Sequence, residues 1–389
     1  MSGFDCDVAV VGSGFGGAVS ALRLVERGYD VTVLEAGRRL APADLAAARR
    51  RVRDYLWAPG AGLRGFFWQR VFRDVGVIGA TGVGGGSIVW GAVLLEPGDA
   101  FFADPAWADL GDWRAELAGH YATAARMLGR TTNPHLDVQD EHLRRAAAAV
   151  GAEDTFGPVP LAIHFGSGPG ATEPDPFFDG AGPARTGCRL CGGCLVGCPY
   201  GAKNTLDHNY LHLAERLGAR ILARHRVDAI VPLAGGGYIL HASDPLRRGP
   251  RRGSLRARRV VLAAGVLGTL ELLFRCRDEL GTLPHVSPRL GESVRTNSEA
   301  VTGILARDPA VDLLHGPSIS SDFHPDERTH VTQNRFRGGA RVLRLQVGPL
   351  VDGEHRGRRA WQTVRAIAAE PRAHLRVVLA RRFDERYTR

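Results

Sequence analysis

The six residues Gly12-Ser13-Gly14-Phe15-Gly16-Gly17 constrain this chain most, because of what stands on either side of them. Before them, Val8, Ala9, Val10 and Val11 form an unbroken apolar run, as a strand buried on both faces requires. After them, Ala18, Leu22 and Val25 recur at helical spacing, and Gly28 suits the helix stop. Val31, Val33 and Leu34 make a second strand. A lone G-x-G-x-x-G match is weak; between a strand and a helix it specifies a βαβ unit whose turn lies against a dinucleotide. Gly12 permits the tight turn, Gly14 lets backbone approach a pyrophosphate, and Gly17, with Gly16 beside it, lets helix and strand pack closely. The helix amino terminus offers free N–H groups and a favourable dipole to phosphate. Glu35 closes the second strand, where a carboxylate can accept hydrogen bonds from ribose hydroxyls.

The turn alone does not separate FAD from NAD. A second glycine run does: Gly82-Val83-Gly84-Gly85-Gly86-Ser87, followed by Ile88, Val89, Trp90 and Gly91. It lets backbone lie flat against a bulky ligand and present N–H groups to it, which a plain NAD fold does not need. Its apolar flank argues for a buried position. A third element, Val260-Val261-Leu262-Ala263-Ala264-Gly265, reads as a buried strand ending in small residues, then a helix. The candidate FAD contacts are therefore Gly12, Gly14, Gly16, Gly17, Glu35, Gly82, Gly85, Gly86, Ser87, Gly91, Ala263 and Gly265, with Val227 at the head of a later strand.

Between these motifs, Trp113, Leu117, Tyr121, Ala124 and Leu128 predict a helix, and Val138 to Val150 predicts another. Leu206, Tyr210, Leu213 and Leu217 predict one amphipathic helix ended by Gly218, and Leu267 to Phe274 a short one. Strands are expected near Ile221, Val227–Val231, Tyr238–His241 and Arg259–Ala263. The aromatic stretch Trp57 to Trp68 is read as core packing in preference to a lid.

Four of the six cysteines crowd into Cys188-x-x-Cys191-x-x-Cys194-x-x-x-Cys198-Pro199. Gathered cysteines suit a metal or cluster more than a disulfide framework. The spacing is that of a bacterial ferredoxin loop, whose fourth cysteine can serve a second cluster. Iron–sulfur, zinc and a reduced structural loop turned by Gly192, Gly193 and Gly197 all remain open on spacing alone.

The formal charge of +9 invites a nucleic-acid partner, but 50 basic residues include a single lysine, Lys203, and the arginines are scattered. That pattern is a compositional bias without a binding stripe, so nucleic acid is set aside. Asp5 and Asp7 stand where an export signal would be basic, and the longest apolar run, Val260 to Leu270, is too short for a bilayer. The expectation is a cytoplasmic protein without a transmembrane segment.

In order and spacing, these motifs resemble the glucose-methanol-choline (GMC) oxidoreductases, and most nearly their cholesterol-oxidase-like bacterial branch. The likeness extends to Asp112-Trp113-Arg114, to Gly187-Cys188 through Asp207, and to Ser318-Ile319-Ser320-Ser321 through Thr329-His330. The resemblance implies an α/β fold: a Rossmann-like FAD-binding domain with a doubly wound parallel sheet (residues 1–110 and 185–300), interleaved with an α+β substrate domain (111–184 and 301–389). It implies oxidation of a bulky lipophilic alcohol such as a sterol, by hydride transfer to flavin N5 while a base takes the hydroxyl proton. Two alternatives stand beside it: an iron–sulfur flavin dehydrogenase subunit that passes electrons to a partner, and a truncated, non-catalytic flavin-binding protein. Relatives often carry Asn where Trp90 stands. His164, His208 and His330 lie in family-like segments, yet none matches the family's catalytic histidine, so the base is unassigned. Arg356 to Arg389 resembles a helical stretch that precedes an apolar strand in relatives. The chain is thus expected to lack the family's C-terminal segment, with an electron acceptor or a completing chain as partner.

Overall fold

The computed structural model describes residues 3–73, 75–247, 252–302, 312–335, 349–352 and 355–372. It opens with the expected unit: β1 (Cys6–Val11), α1 (Phe15–Val25) and β2 (Val31–Glu35). A hairpin follows, β3 (Phe67–Val71) and β4 (Gly76–Ala80), then two helices, α2 (Trp113–Met127) and α3 (Val138–Ala149). After the cysteine loop come α4 (Tyr210–Arg216), β5 (Arg220–Ala223), β6 (Arg226–Pro232), β7 (Tyr238–Ser243), β8 (Arg252–Leu262) and α5 (Gly265–Phe274). A second hairpin, β9 (Ser321–Asp326) and β10 (Thr329–Thr332), precedes α6 (Arg356–Ala369). The remainder of the expected basic tail, 373–389, lies outside the described residues.

The central sheet has six strands in the order β5-β2-β1-β8-β7-β6. The first four are mutually parallel, and β8, β7 and β6 are antiparallel neighbours. Strand β8 does both because its two halves are written differently. Its first half pairs with β7, and its second half, ending in Val260, Val261 and Leu262, pairs with β1; Ala257 sits at the change, opposite both Cys6 and Tyr238. An apolar run suits the interior of a parallel sheet, and an alternating one a half-exposed antiparallel ribbon.

The sheet is covered on both faces. Val8 and Val10 of β1 join a core with Ala18, Ala21 and Leu22 of α1 and Leu211 and Ala214 of α4. Ala9 and Val11 point the other way, into a core with Leu34, Leu240, Leu272 and Cys276. Each fully buried aliphatic side chain contributes roughly 1.5–3 kcal/mol. The first core also takes Met127, Leu128, Leu161 and Ile163, and Cys188, Leu190 and Cys194 of the cysteine loop. The doubly wound α/β fold read from the sequence is therefore the fold observed.

Two local expectations change. The helix drawn from Leu206 to Leu217 is broken: Leu206–His208 forms a 3-10 turn, and Asn209 interrupts at φ −134°, ψ −96°. Its side chain accepts from the Tyr210 N–H at 2.6 Å and restarts the helix. Leu206 and Tyr210 of the expected face are buried, but Leu211 and Ala214 join them while Leu217 is exposed. The second change is in length, since β8 begins seven residues before the expected Arg259 (259 − 252). The aromatic stretch packs as expected: Phe66 and Phe67 are buried, and Tyr55 stacks on Phe67 at 4.8 Å between ring centres.

Candidate functional site

The site grows from the carboxyl ends of β1, β2 and β8, where an open α/β sheet leaves its crevice. Gly12 follows β1 with φ +99°, and a Cβ there would run into the Ala263 carbonyl just past β8. A Cβ on Gly17 would fall on the Gly12 carbonyl oxygen. Gly12 N–H bonds Leu34 O and Ala263 N–H bonds Val11 O, both at 2.8 Å, which holds the three strand ends together. Helix α1 starts directly above them. Its N-cap is Gly14, with no side-chain cap and no acidic residue in the first turn. The N–H groups at its start thus lack a side-chain acceptor.

Ser13 ties this turn to its surroundings. Its hydroxyl donates to Glu35 Oε2 at 2.7 Å and accepts from Gly84 N–H at 3.2 Å, while its own N–H reaches Glu35 Oε2 at 3.1 Å. Gly37 N–H bonds Glu35 Oε1 at 2.8 Å. Burial pushes the Glu35 carboxyl up from its ordinary value, against the pull of these donors. A carboxylate has about four lone-pair sites; the Ser13 N–H and hydroxyl, the Gly37 N–H and the Gly82 N–H all act on them, so the Glu35 carboxyl holds the turn together.

The second glycine run lies against the first. Gly85, at φ +52°, approaches so closely that a Cβ on it would stand 2.6 Å from Gly14 Cα. Ser87 donates to Gly84 O at 2.7 Å and accepts from Leu206 N–H at 3.1 Å, pinning the run to the segment after the cysteines. Phe15 meets the Trp90 ring edge-on at 5.1 Å. Beside Gly84 lies Asp207, paired with His208 at 3.3 Å. Burial raises the Asp207 pKa, but His208 and the Thr205 hydroxyl outweigh it and hold the carboxyl down at about 2.

Gly12, Gly14, Gly16, Gly17, Glu35, Gly82, Gly85, Gly86, Ser87 and Ala263 come together at this crevice. Gly265 opens α5 just beyond it. Two candidates are placed otherwise. A Cβ on Gly91 would stand 2.6 Å from Ile319 Cδ1, so its smallness serves packing. The Val227 side chain is buried in the second core, which leaves only its backbone for a ligand.

Sequence reasoning gave no site role to Lys203. Its ammonium is buried and donates to three backbone carbonyls: Cys194 O (2.7 Å), Ile88 O (2.8 Å) and Trp90 O (3.2 Å). Burial lowers its pKa to about 8. A signal was present: the one lysine in an arginine-rich chain fills a spot where a compact ammonium meets three converging carbonyls.

These features fit a flat dinucleotide. The α1 amino terminus suits a diphosphate. The Gly14–Gly85 seam carries no side chain, and the buried Nε1 of Trp90, whose ring meets Phe15, has no hydrogen-bond partner. Unpartnered buried donors are uncommon and point to an acceptor supplied from outside the chain.

Cys188, Cys191, Cys194 and Cys198 line one cavity of about 20 Å³, and all six cysteines are free. Among the described residues no group of three His, Cys, Asp or Glu side chains could hold a metal ion. That corrects the zinc reading, which needs all four sulfurs about 2.3 Å from one centre. Of the family-like histidines, His164 is buried, 3.3 Å from Glu173, and burial lowers its pKa. His208 Nδ1 lies 2.7 Å from the Thr205 hydroxyl, and His330 is exposed on β10. No helix among the described residues is long and apolar enough to cross a membrane.

The family model for FAD dependent oxidoreductases (DAO) matches residues 7–370. A cholesterol oxidase of Mycobacterium tuberculosis is 42% identical over 98% of this chain and 68% of its own length. A cholesterol oxidase of Acinetobacter baumannii is 39% identical over 97% of this chain and 69% of its own length. A GMC-type oxidoreductase of M. tuberculosis is 33% identical over 74% of this chain and 41% of its own. Among solved structures, pyridoxine 4-oxidase from Mesorbium loti aligns with TM-score 0.46 at 18% identity, over 70% of this chain and 52% of that one.

Proposed function

We propose that this chain, which belongs to the FAD dependent oxidoreductase family in its GMC-type, cholesterol-oxidase-like branch, oxidises a sterol or a comparably bulky lipophilic alcohol. It is an FAD-dependent oxidoreductase acting on an alcohol. The observation that carries the sterol reading is the 39–42% identity, along nearly all of this chain, to proteins named cholesterol oxidase.

When bound, FAD supplies the acceptor for the hydride that leaves the alcohol carbon. The chain's part is to bind and orient. The uncapped start of α1 would take the diphosphate, with Glu35 holding the Ser13 turn beneath it. The side-chain-free Gly14–Gly85 seam would let the cofactor lie against backbone. Lys203 holds the end of the second glycine run in place through Ile88 O and Trp90 O. The proposed flavin domain, 1–110 and 185–300, is supported by a central sheet drawn from 6–35 and 220–262. The proposed substrate domain is 111–184 and 301–389. The hydroxyl proton needs an acceptor, and no histidine is assigned to it: His164 and His208 face Glu173 and Thr205, and His330 faces solvent.

The test is anaerobic addition of cholesterol to the flavin-loaded chain. Bleaching of the flavin absorption is expected. Flavin that stays oxidised with cholesterol but bleaches with a short linear alcohol would sink the sterol reading and leave the alcohol oxidoreductase standing.

A further inference from the structure

The cysteine loop is more than a turn-rich connection. Spacing alone leaves the fourth ligand open, because in two-cluster ferredoxins the last cysteine of such a run serves the other cluster. Here the fold decides it: Cys198 lines the same cavity as Cys188, Cys191 and Cys194. The loop is held around that cavity by hydrogen bonds to a distant segment. Ser318 Oγ accepts from Cys194 N–H and donates to Gly192 O, both at 2.8 Å. Gly192 N–H bonds Gly316 O at 2.7 Å, and Gly316 N–H bonds Leu190 O at 2.9 Å. Leu190 holds the left-handed φ of +51°, rare for a residue with a side chain, and its N–H points to Cys188 Sγ at 3.4 Å.

The charge around the cavity has the sign a thiolate-bound cluster needs. Arg49, Arg189 and Lys203 line it, and Arg49 Nη2 is 4.0 Å from Cys191 Sγ. Among the described residues none of the three makes an ion pair with a carboxylate. Arg49 and Arg189 both face the Tyr200 ring, and the Lys203 donors end on carbonyls. Asp207 offsets part of this charge from a distance. Arg189 is exposed and Arg49 half-buried; Lys203 is the buried cation of the three, and a bound anion would offset the cost of its burial. A single ion needs three or more side chains converging on it, and among the described residues no such group stands. A cluster reverses that requirement: each iron carries one thiolate, so the sulfurs must stand apart around a shared body. The present cavity has room for about one water, and among the described residues Cys198 Sγ makes no hydrogen bond that would hold it inward.

We propose that Cys188, Cys191, Cys194 and Cys198 together hold one iron–sulfur cluster in this cavity. The site is separate from the dinucleotide crevice and is joined to it through Lys203, whose ammonium spans Cys194 O and the carbonyls of Ile88 and Trp90. The proposal does not depend on the sterol reading.

The test is iron and acid-labile sulfide content of the full chain after anaerobic reconstitution with ferrous iron and sulfide, read with zinc content and the absorption beyond the flavin bands. Roughly three to four irons with matching sulfide per chain are expected, as for cysteine-held clusters. Cys191→Ser and Cys198→Ser, at the two partly exposed positions, are each expected to lose most of both, and Cys276→Ser to keep them. Wild-type chain that stays free of iron, or that holds stoichiometric zinc instead, overturns the proposal. So does a folded Cys198→Ser chain that keeps the full complement. If a loop variant does not fold, the wild-type iron and sulfide content decides alone.

Discussion

Replacing Gly85 by Ala tests the cradle at its tightest point. The new Cβ would stand 2.6 Å from Gly14 Cα and 3.2 Å from Gly14 N, both backbone atoms that cannot swing aside. Two effects add. A side chain at φ +52° costs roughly 1–2 kcal/mol, and forcing an extra methyl into a packed seam roughly 1–3 kcal/mol. The sum, about 2–5 kcal/mol, is relieved only by parting the two glycine segments that form the floor of the site. A typical domain has roughly 5–15 kcal/mol to lose, so the variant should still fold. If about half of the strain falls on the flavin-loaded form, affinity for FAD drops roughly five- to sixtyfold, at about 1.4 kcal/mol per decade. The assay is FAD titration of the apoprotein by fluorescence, alongside urea unfolding. Gly265→Ala is the control: its φ is +72°, but nothing lies within 4 Å, so it carries the backbone strain without the clash. If Gly85→Ala binds FAD within twofold of wild type and unfolds no more easily than Gly265→Ala, the two glycine runs are not in contact and the site is wrongly built.

Ser13→Ala removes a donor to Glu35 and an acceptor for Gly84 N–H; a loss of about 1–3 kcal/mol, divided between folding and FAD binding, is expected from urea unfolding and FAD titration. Asp140→Asn leaves the buried Arg335 guanidinium without its carboxylate at 2.9 Å and disturbs the cluster with Ser320, Ser321 and Gln333. Urea unfolding should show a loss of roughly 3–5 kcal/mol, and a loss under about 1 kcal/mol would mean that this network does not tie α3 to β9. Asp207 is held at about 2 when folded against about 3.9 unfolded. Its folded value is depressed, so its stabilisation, roughly 2–3 kcal/mol, is full above pH ~4 and is lost as pH falls through about 2. Asp207→Asn should therefore flatten the acid limb of the stability–pH curve, and an unchanged limb would show that the carboxylate is not held by His208 and Thr205.

Local pattern carried much of the fold. Strand β1, the glycine turn and α1 were legible because a βαβ turn leaves its steric demands in adjacent residues. Helices α2 and α3 were legible from their periodicity, and Asp112 and Asp137 cap them by bonding Ala115 N–H and Val138 N–H. Where local chemistry competed, the pattern misled: Asn209 offers the backbone a cap, and that outweighed the leucine spacing that drew one helix through it. The sequence by itself determined the cofactor class, the order of the elements and the cysteine spacing, since each depends on residues that are neighbours in the chain. Only the tertiary structure decided that Gly85 lies on Gly14, that one buried lysine joins the cysteine loop to the second glycine run, and that Cys198 turns into the cavity of the other three. Those contacts depend on how crossovers over the sheet bring distant segments together, and no residue carries a local mark of the partner it will meet.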